Sequence, residues 1–177
     1  MAELIRIDKD YTDEKAANAL LKYIKSKALF FGGYNLQKYE AAQQMRTIRN
    51  YYYQNRDILI YHFVLTFDMN REFLPLDKMY ELAYMMCGIF MDLQVFFGIH
   101  IGDNGYHIHF AVNPVSITDG SKFCLTYSTI ADITQKAQAL LRQYSVNKLI
   151  YINKPFIHEF QFAEEYDKYL RQCNLLY

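Results

Sequence analysis

Three of the five histidines in this 177-residue chain fall within ten residues, in the segment GIHIGDNGYHIHF. His107 and His109 are two residues apart, and His100 precedes them across a turn-forming stretch at 103–105. Three neutral imidazole nitrogens suit manganese, zinc, cobalt or nickel better than magnesium. Three protein ligands also leave coordination positions open, which is typical of a catalytic rather than a structural ion.

A β-hairpin would bring these three histidines together. Alternating apolar residues flank Asp-Asn-Gly, which is a strong hairpin signal. A two-residue turn at Asn104 and Gly105 predicts that His100 lies opposite His109, and side-chain alternation places His107 on the same face. Opposed Cβ atoms lie about 5 Å apart, so the pattern predicts one divalent metal site. The alternative is three surface or hydrogen-bonded core histidines that serve only folding.

The rest of the sequence predicts helices and strands around this hairpin. Helices are predicted over AANALLKYIKSK after a Thr12 or Asp13 cap, about 36–53, KMYELAYMMCGIFMD after Pro75 and Asp77, about 129–144, and from about 160. Strands are predicted over DILIYHFVLTF and around 148–153, and Gly32 and Gly33 are expected to end the first helical region.

This order of elements predicts an α+β fold, in which one domain over residues 1–177 has a central antiparallel sheet and flanking helices. The sequence lacks an apolar run long enough to span a bilayer, and its N-terminus is too charged for a secretory signal. We therefore expect a cytoplasmic protein without membrane insertion. Cys87, Cys124 and Cys173 are widely spaced and are interpreted as reduced thiols.

Charge is balanced over the whole chain, at nineteen basic and nineteen acidic residues, but it is unevenly distributed. The segment 22–56 carries an excess of basic residues, with Glu40 as its single acid: Lys22, Lys25, Lys27, Lys38, Arg46, Arg49 and Arg56. Aromatic residues interleave with these cations: Tyr23, Phe30, Phe31, Tyr34, Tyr39, Tyr51, Tyr52 and Tyr53. An ordinary solvated helix face is one interpretation; the combination is also what single-stranded nucleic acid requires for base stacking and phosphate neutralisation.

The segment GIHIGDNGYHIHFAVNPVSITDGSKF resembles the His-hydrophobic-His segment of relaxases, the mobilization nucleases that start conjugative transfer of plasmids and integrative elements. The resemblance includes His100, the pair His107 and His109, Asn113, and the stretch 118–122. Upstream, ALLKYIKSKALFFGGYNL resembles the family's N-terminal tyrosine motif, and ILIYHFVLTFD resembles its first core strand. The motif-bearing core spans about residues 20–122.

The resemblance implies a nuclease domain of the HUH endonuclease superfamily, with a ferredoxin-like palm. It also implies that a tyrosine attacks a scissile phosphate in single-stranded DNA at an origin of transfer. The attack releases a 3′-hydroxyl and leaves the 5′-phosphate covalently bound to the protein. The expected cofactor is one divalent metal ion, first manganese, with zinc, cobalt, nickel or magnesium as alternatives. The expected setting is the bacterial cytoplasm, with accessory mobilization proteins as partners.

Tyr23 is the first choice of nucleophile, because it matches the family's tyrosine motif on a predicted helix and is flanked by Lys22 and Lys25. A packed helix aromatic is the alternative for this residue, and Tyr34 and Tyr51–Tyr53 are second choices. The cations expected to contact DNA phosphate are Lys22, Lys25, Lys27, Arg46 and Arg49.

Two residues are expected to support the site. His62 lies on a predicted neighbouring strand and would orient a ligand or form a structural hydrogen bond, and Asn113 follows the histidine pair. One rival is a rolling-circle replication initiator or small transposase, in which Tyr144, followed by Lys148, would be the nucleophile. A second rival is a non-catalytic remnant that binds single-stranded DNA.

Overall fold

The computed structural model describes residues 2–52, 58–67, 74–102, 105–144, 146 and 149–155. Six strands are described: β1 (Ala2–Tyr11), β2 (Phe30–Tyr34), β3 (Ile60–Phe67), β4 (Val95–Gly102), β5 (Gly105–Val112) and β6 (Leu149–Pro155). Four α-helices are described: α1 (Glu14–Lys27), α2 (Ala41–Tyr51), α3 (Leu76–Cys87) and α4 (Tyr127–Gln143).

The described strands form one sheet in the order β2-β4-β5-β3-β1-β6. The predicted α+β class is confirmed. The sheet is mixed rather than wholly antiparallel, because β6 pairs with β1 in parallel while the other pairings are antiparallel.

Each face of the sheet is covered by two helices, and each face has its own core. Helices α3 and α4 cover the larger core, which contains Phe63, Phe97 and Phe110. Helices α1 and α2 cover the smaller core, in which Ile24 and Met45 pack on Phe96 and Ala111. Because side chains alternate, the strand residues of the smaller core share their face with the even-numbered residues of β4 and the odd-numbered residues of β5.

Helix α1 begins where the sequence predicts it. The Asp13 carboxylate accepts a hydrogen bond from the Ala16 backbone amide at 2.8 Å, which satisfies one amide of the first turn. Leu20, Leu21 and Ile24 recur on one side of the helix and are buried against the sheet. This docking fixes which side of α1 faces the sheet.

The structure contains two strands that the sequence pattern does not predict. Helix α1 already ends at Lys27 and residues 30–34 form β2, so the expectation that Gly32 and Gly33 end the first helical region is wrong. A Cβ at Gly32 would lie 2.3 Å from the Phe97 ring, so glycine is required there by close packing. The other strand is β1, and the C-terminal helix predicted from about residue 160 lies outside the described residues.

Candidate metal centre

The three histidines of the hairpin meet on the α1 side of the sheet. Ring centroids are 4.4 Å apart for His100 and His109, 4.9 Å for His107 and His109, and 5.4 Å for His100 and His107. One nitrogen of each ring lies within 4.8 Å of the others, and all three residues are buried. The predicted convergence is confirmed, and the cluster offers a divalent ion three nitrogen ligands.

The hairpin register differs from the predicted one. His100 pairs with His107, and His109 pairs with Gly98, so the prediction that His100 lies opposite His109 is wrong. The two registers differ by two residues, and a shift of two returns every side chain to the same face. Alternation of apolar residues therefore cannot distinguish them. The observed register sets the smallest residue, Gly98, opposite a large ring, and it leaves residues 103 and 104, which lie outside the described residues, between the paired Gly102 and Gly105.

Helix α1 holds the first histidine directly. His100 Nε2 lies 2.8 Å from the Ile24 carbonyl oxygen, which can only accept, so Nε2 carries the proton and donates. The lone pair of the neutral ring is then on Nδ1, the nitrogen left for an ion. This contact requires Gly98, because a Cβ there would lie 2.7 Å from Ile24 Cγ2 and 2.9 Å from the Ile24 carbonyl oxygen.

A fourth histidine, His62 on β3, holds the third one. His62 Nε2 lies 2.9 Å from His109 Nδ1, and Tyr11 Oη lies 3.3 Å from His62 Nδ1. If His109 Nδ1 donates to His62, the lone pair of His109 is on Nε2, and the His62 proton is on Nδ1, directed to the Tyr11 oxygen. Ligand histidines commonly have such a partner on the second nitrogen.

Burial keeps these imidazoles neutral. It lowers the pKa of His100 to about 4 and that of His62 to about 3, and it lowers the pKa of His109 well below the usual range. Neighbouring positive charge, from Lys27 at His100 and from Lys9 at His62, acts in the same direction. Because only a neutral imidazole binds a metal, protons compete weakly for these nitrogens at neutral pH.

Tyr23, on the sheet-facing side of α1, lies against the histidine cluster. Its ring centroid is 5.3 Å from that of His100 and 5.3 Å from that of His109, with interplanar angles of 73° and 83°. The side chain is half-buried. The structure therefore brings together the tyrosine and the histidines that the sequence singles out.

The other candidate tyrosines lie elsewhere. The Tyr144 hydroxyl contacts Met85 Sδ at 3.3 Å, and Tyr144 packs on the larger core, across the sheet from the histidines. The Tyr34 ring packs on Tyr84 of α3, on that same face. The Tyr52 hydroxyl donates to backbone carbonyls at residues 117 and 118, and Tyr53 lies outside the described residues.

The predicted DNA-binding cations divide into two groups. Lys22, Lys25, Lys27 and Arg46 are exposed on α1 and α2. Arg49 is 1 % exposed, and its guanidinium pairs with Glu14 at 2.7 Å. This placement argues against a phosphate contact for Arg49 and indicates that it joins α1 to α2.

Asn113 has structural partners away from the histidines. Its amide nitrogen donates to the Met45 carbonyl at 3.3 Å and to Gln94 Oε1 at 3.0 Å. It lies four positions beyond His109 along the extended chain, about 13 Å at the usual rise. It therefore ties the end of β5 to α2.

Sequence reasoning missed Tyr11 and Gly98. Tyr11 ends a strand that the charged N-terminal pattern conceals, so the sequence offered no signal for its contact with His62. Gly98 could have been noticed as the one small residue in the apolar run before His100, since glycine inside a strand often marks close backbone approach.

Comparison with known proteins agrees with the site. No curated protein is similar enough to this chain to count as a relative. In the described residues, no helix is both long and apolar enough to cross a membrane. The family model "Relaxase: MobA/VirD2-like, nuclease domain" matches residues 11–146, which include Tyr23 and the three hairpin histidines. The chain therefore belongs to the relaxase family.

Proposed function

We propose that this chain nicks single-stranded DNA at a specific site and transfers the strand through a covalent 5′-phosphotyrosine, with Tyr23 as the nucleophile. The observation that supports this most is the Tyr23 ring set against both His100 and His109. Because the nucleophile is in direct ring contact with two of the proposed metal ligands, the nucleophile and the ion can act on the same phosphate.

The proposed ligands are His100 through Nδ1 and His107 and His109 through one ring nitrogen each. The donor set is buried, and burial lowers the pKa of His100 and His109, which suits a borderline transition metal; we expect manganese first, with zinc, cobalt, nickel or magnesium as alternatives. When bound, the ion would polarise the scissile phosphate and neutralise the charge that develops on it.

The chain's own residues carry the rest of the reaction. Tyr23 Oη loses its proton and bonds to phosphorus, while the bond from phosphorus to the 3′ oxygen breaks and that oxygen gains a proton. One phosphodiester replaces another and no net proton is consumed, so the step is reversible and the strand can be rejoined. His62, with Tyr11 behind it, orients His109 in this proposal. The exposed cations Lys22, Lys25, Lys27 and Arg46 hold the DNA backbone.

In this proposal the substrate is the nicked strand of an origin of transfer in the cytoplasm of a bacterium. Accessory mobilization proteins would present it in single-stranded form. These expectations rest on the family to which the chain belongs.

The test follows the two ends of the DNA separately. A pool of single-stranded oligonucleotides labelled at the 3′ end is incubated with the protein and Mn²⁺, and a second pool is labelled at the 5′ end. We expect the 3′ label on the protein in a denaturing gel and the 5′ label on a shortened strand. Chelation should abolish both, and Tyr23→Phe should lower the adduct below about 1 % of wild type, because phenylalanine lacks the attacking oxygen.

Tyr144→Phe is the matched control and should retain the adduct, because Tyr144 lies across the sheet. An adduct that survives Tyr23→Phe but disappears with Tyr144→Phe would favour a replication initiator or transposase. Binding without cleavage under every metal would favour a non-catalytic DNA-binding protein.

A further inference from the structure

A cluster of cations and aromatic rings lies beside the histidine site. It consists of Lys25 on α1, Phe31 on β2, and Lys38 and Tyr39 in the connection before α2. The Lys25 ammonium is 5.5 Å from the Phe31 ring centroid and 5.4 Å from that of Tyr39. The Lys38 ammonium is 5.4 Å and 5.3 Å from the same two centroids. We call this group the lysine-tyrosine cluster.

The two rings of the cluster differ in burial. Phe31 packs edge-on against Tyr39 at 5.7 Å and contacts Phe96 of the smaller core at 5.9 Å. Phe31 is thereby anchored to the sheet. Tyr39 is 71 % exposed although its ring packs against Phe31.

The charges of the cluster are not neutralised within the described part of the chain. Lys25 and Lys38 form no ion pair there, whereas Lys78, Lys136 and Arg49 each pair with a carboxylate. The four residues of the cluster thus carry two positive charges and no negative one. Such a surface attracts an anion, and the exposed ring offers a flat apolar face beside it.

The cluster lies on the same sheet face as the candidate metal centre. Phe31 pairs with Gly98, two residues before His100 on β4, so Phe31 and His100 are diagonal neighbours on adjacent strands. Such neighbours are about 7 to 8 Å apart. A DNA strand that extends from the histidines in this direction would reach the cluster within one or two nucleotides.

We propose that the lysine-tyrosine cluster is a nucleotide subsite for single-stranded DNA, in which an unpaired base stacks on Tyr39 and the flanking phosphates contact Lys25 and Lys38. This inference rests on the proposed function and adds to it a specific place for a base near the scissile phosphate. Stacking on an aromatic ring tolerates every base, so the subsite would select single-stranded over double-stranded DNA without selecting a base sequence.

The test is a binding measurement that does not depend on cleavage. A fluorescent oligothymidylate of about twelve nucleotides is titrated with wild-type protein in the presence of EDTA, and the variants Tyr39→Phe, Tyr39→Leu and Tyr39→Ala are compared. We expect Tyr39→Phe to bind like wild type. Tyr39→Leu and Tyr39→Ala should bind roughly 5- to 150-fold more weakly, the range for the loss of one stacked base.

The lysines are tested through salt dependence. Affinity falls as salt rises, and each phosphate contact on a single strand contributes about 0.7 to the steepness of this fall. The variant with both Lys25→Gln and Lys38→Gln should therefore reduce the magnitude of the slope of log affinity against log salt concentration by about 1.4. Lys15→Gln, an exposed lysine ten residues earlier on α1, is the matched control and should leave the slope unchanged. Tyr127→Ala removes a tyrosine that is 92 % exposed on α4, and it controls for loss of any surface ring.

The outcomes separate this inference from the proposed function. Equal affinity of wild type and Tyr39→Ala, with tight wild-type binding and intact nicking, overturns the subsite and leaves the nuclease proposal standing. Failure of the wild-type protein to bind single-stranded DNA overturns both. A melting temperature of Tyr39→Ala within about 2 °C of wild type excludes misfolding as the reason for weak binding, because an exposed side chain contributes little to stability.

Discussion

At the scale of single residues, the site depends on which nitrogen of each histidine carries its proton. His100 has its proton fixed toward the Ile24 carbonyl, whereas the contact between His62 and His109 permits either direction. An ion on His109 Nε2 requires the direction that ends at the Tyr11 oxygen. Tyr11 and His62 should therefore influence metal affinity without contacting the ion.

His62→Phe tests this influence. Phenylalanine preserves most of the ring volume but cannot accept a hydrogen bond from His109, so the Kd for Mn²⁺ should rise about 10- to 100-fold, as for other partners of ligand histidines. Tyr11→Phe should have a smaller effect, since it removes only the terminal oxygen. Isothermal titration calorimetry measures both.

His62→Gln is the control, because an amide can still accept a hydrogen bond and should restore part of the affinity. An unchanged Kd in a folded His62→Phe protein would show that the contact is only a packing contact.

The sequence predicts the candidate ligands and the candidate nucleophile better than it predicts the residues that hold them in position. The spacing of His100, His107 and His109 is sufficient to expect a cluster, and the family resemblance indicates Tyr23. Tyr11 could not be predicted, because its place beside His62 arises from pairing between β1 and β3, strands about fifty residues apart in sequence. The sequence alone predicts that Arg49 contacts DNA, whereas in the structure this residue is buried and pairs with Glu14.

At the scale of elements, the contact of α1 with β4 sets the position of Tyr23. Gly98 permits this contact, because any side chain would meet Ile24 and Ala28. The backbone carbonyl of Ile24 cannot move aside alone, so the helix would have to shift. Such a shift would displace Tyr23 from the histidines although neither would have been mutated.

Gly98→Ala should therefore impair both folding and nicking. The added methyl group lies 2.7 Å from Ile24 Cγ2, and overpacking of this kind costs about 1 to 3 kcal/mol. Urea denaturation measures the loss of stability, and the rate of adduct formation in conditions where the variant is folded measures the displacement of Tyr23.

Gly88→Ala is the control, since a Cβ there would meet no atom within 4 Å. Its stability should remain within about 0.5 kcal/mol of wild type. If Gly98→Ala behaves in the same way, α1 does not depend on this close approach.

Among the elements, strong apolar periodicity was sufficient to predict α1, α3, α4, β3 and the hairpin. It failed for β2, where paired glycines usually indicate a turn, whereas here Gly32 lies against the Phe97 ring and Gly33 against Leu36. It also failed to fix the hairpin register, because Asn-Gly favours one turn while alternation permits two registers. Turn preference was the weaker argument, and the structure contradicts it.

At the scale of the whole molecule, the candidate metal centre is part of the sheet itself. Its candidate ligands lie on two adjacent interior strands, β4 and β5, and the strand of His62, β3, adjoins β5. An ion that binds the folded sheet and not the unfolded chain should stabilise the entire protein.

Thermal unfolding with and without Mn²⁺ tests this expectation. At a concentration of about 100 times the Kd, the ion should contribute about 2.7 kcal/mol, which corresponds to a rise in Tm of about 5 to 10 °C for a protein of this size. A His107→Gln variant should lose most of the rise. A wild-type Tm that is unaffected by any divalent cation would contradict a metal centre at these histidines.

The hydrogen bond from His100 to the Ile24 carbonyl does not involve the ion. Helix α1 is therefore held against the hairpin without the help of an ion, so in the proposed function Tyr23 would be in position whichever of metal and DNA binds first. A complex of protein and DNA formed in the presence of a chelator would then hold an intact DNA strand already aligned for attack. Adding manganese to this complex would start the nicking reaction in all molecules at the same moment.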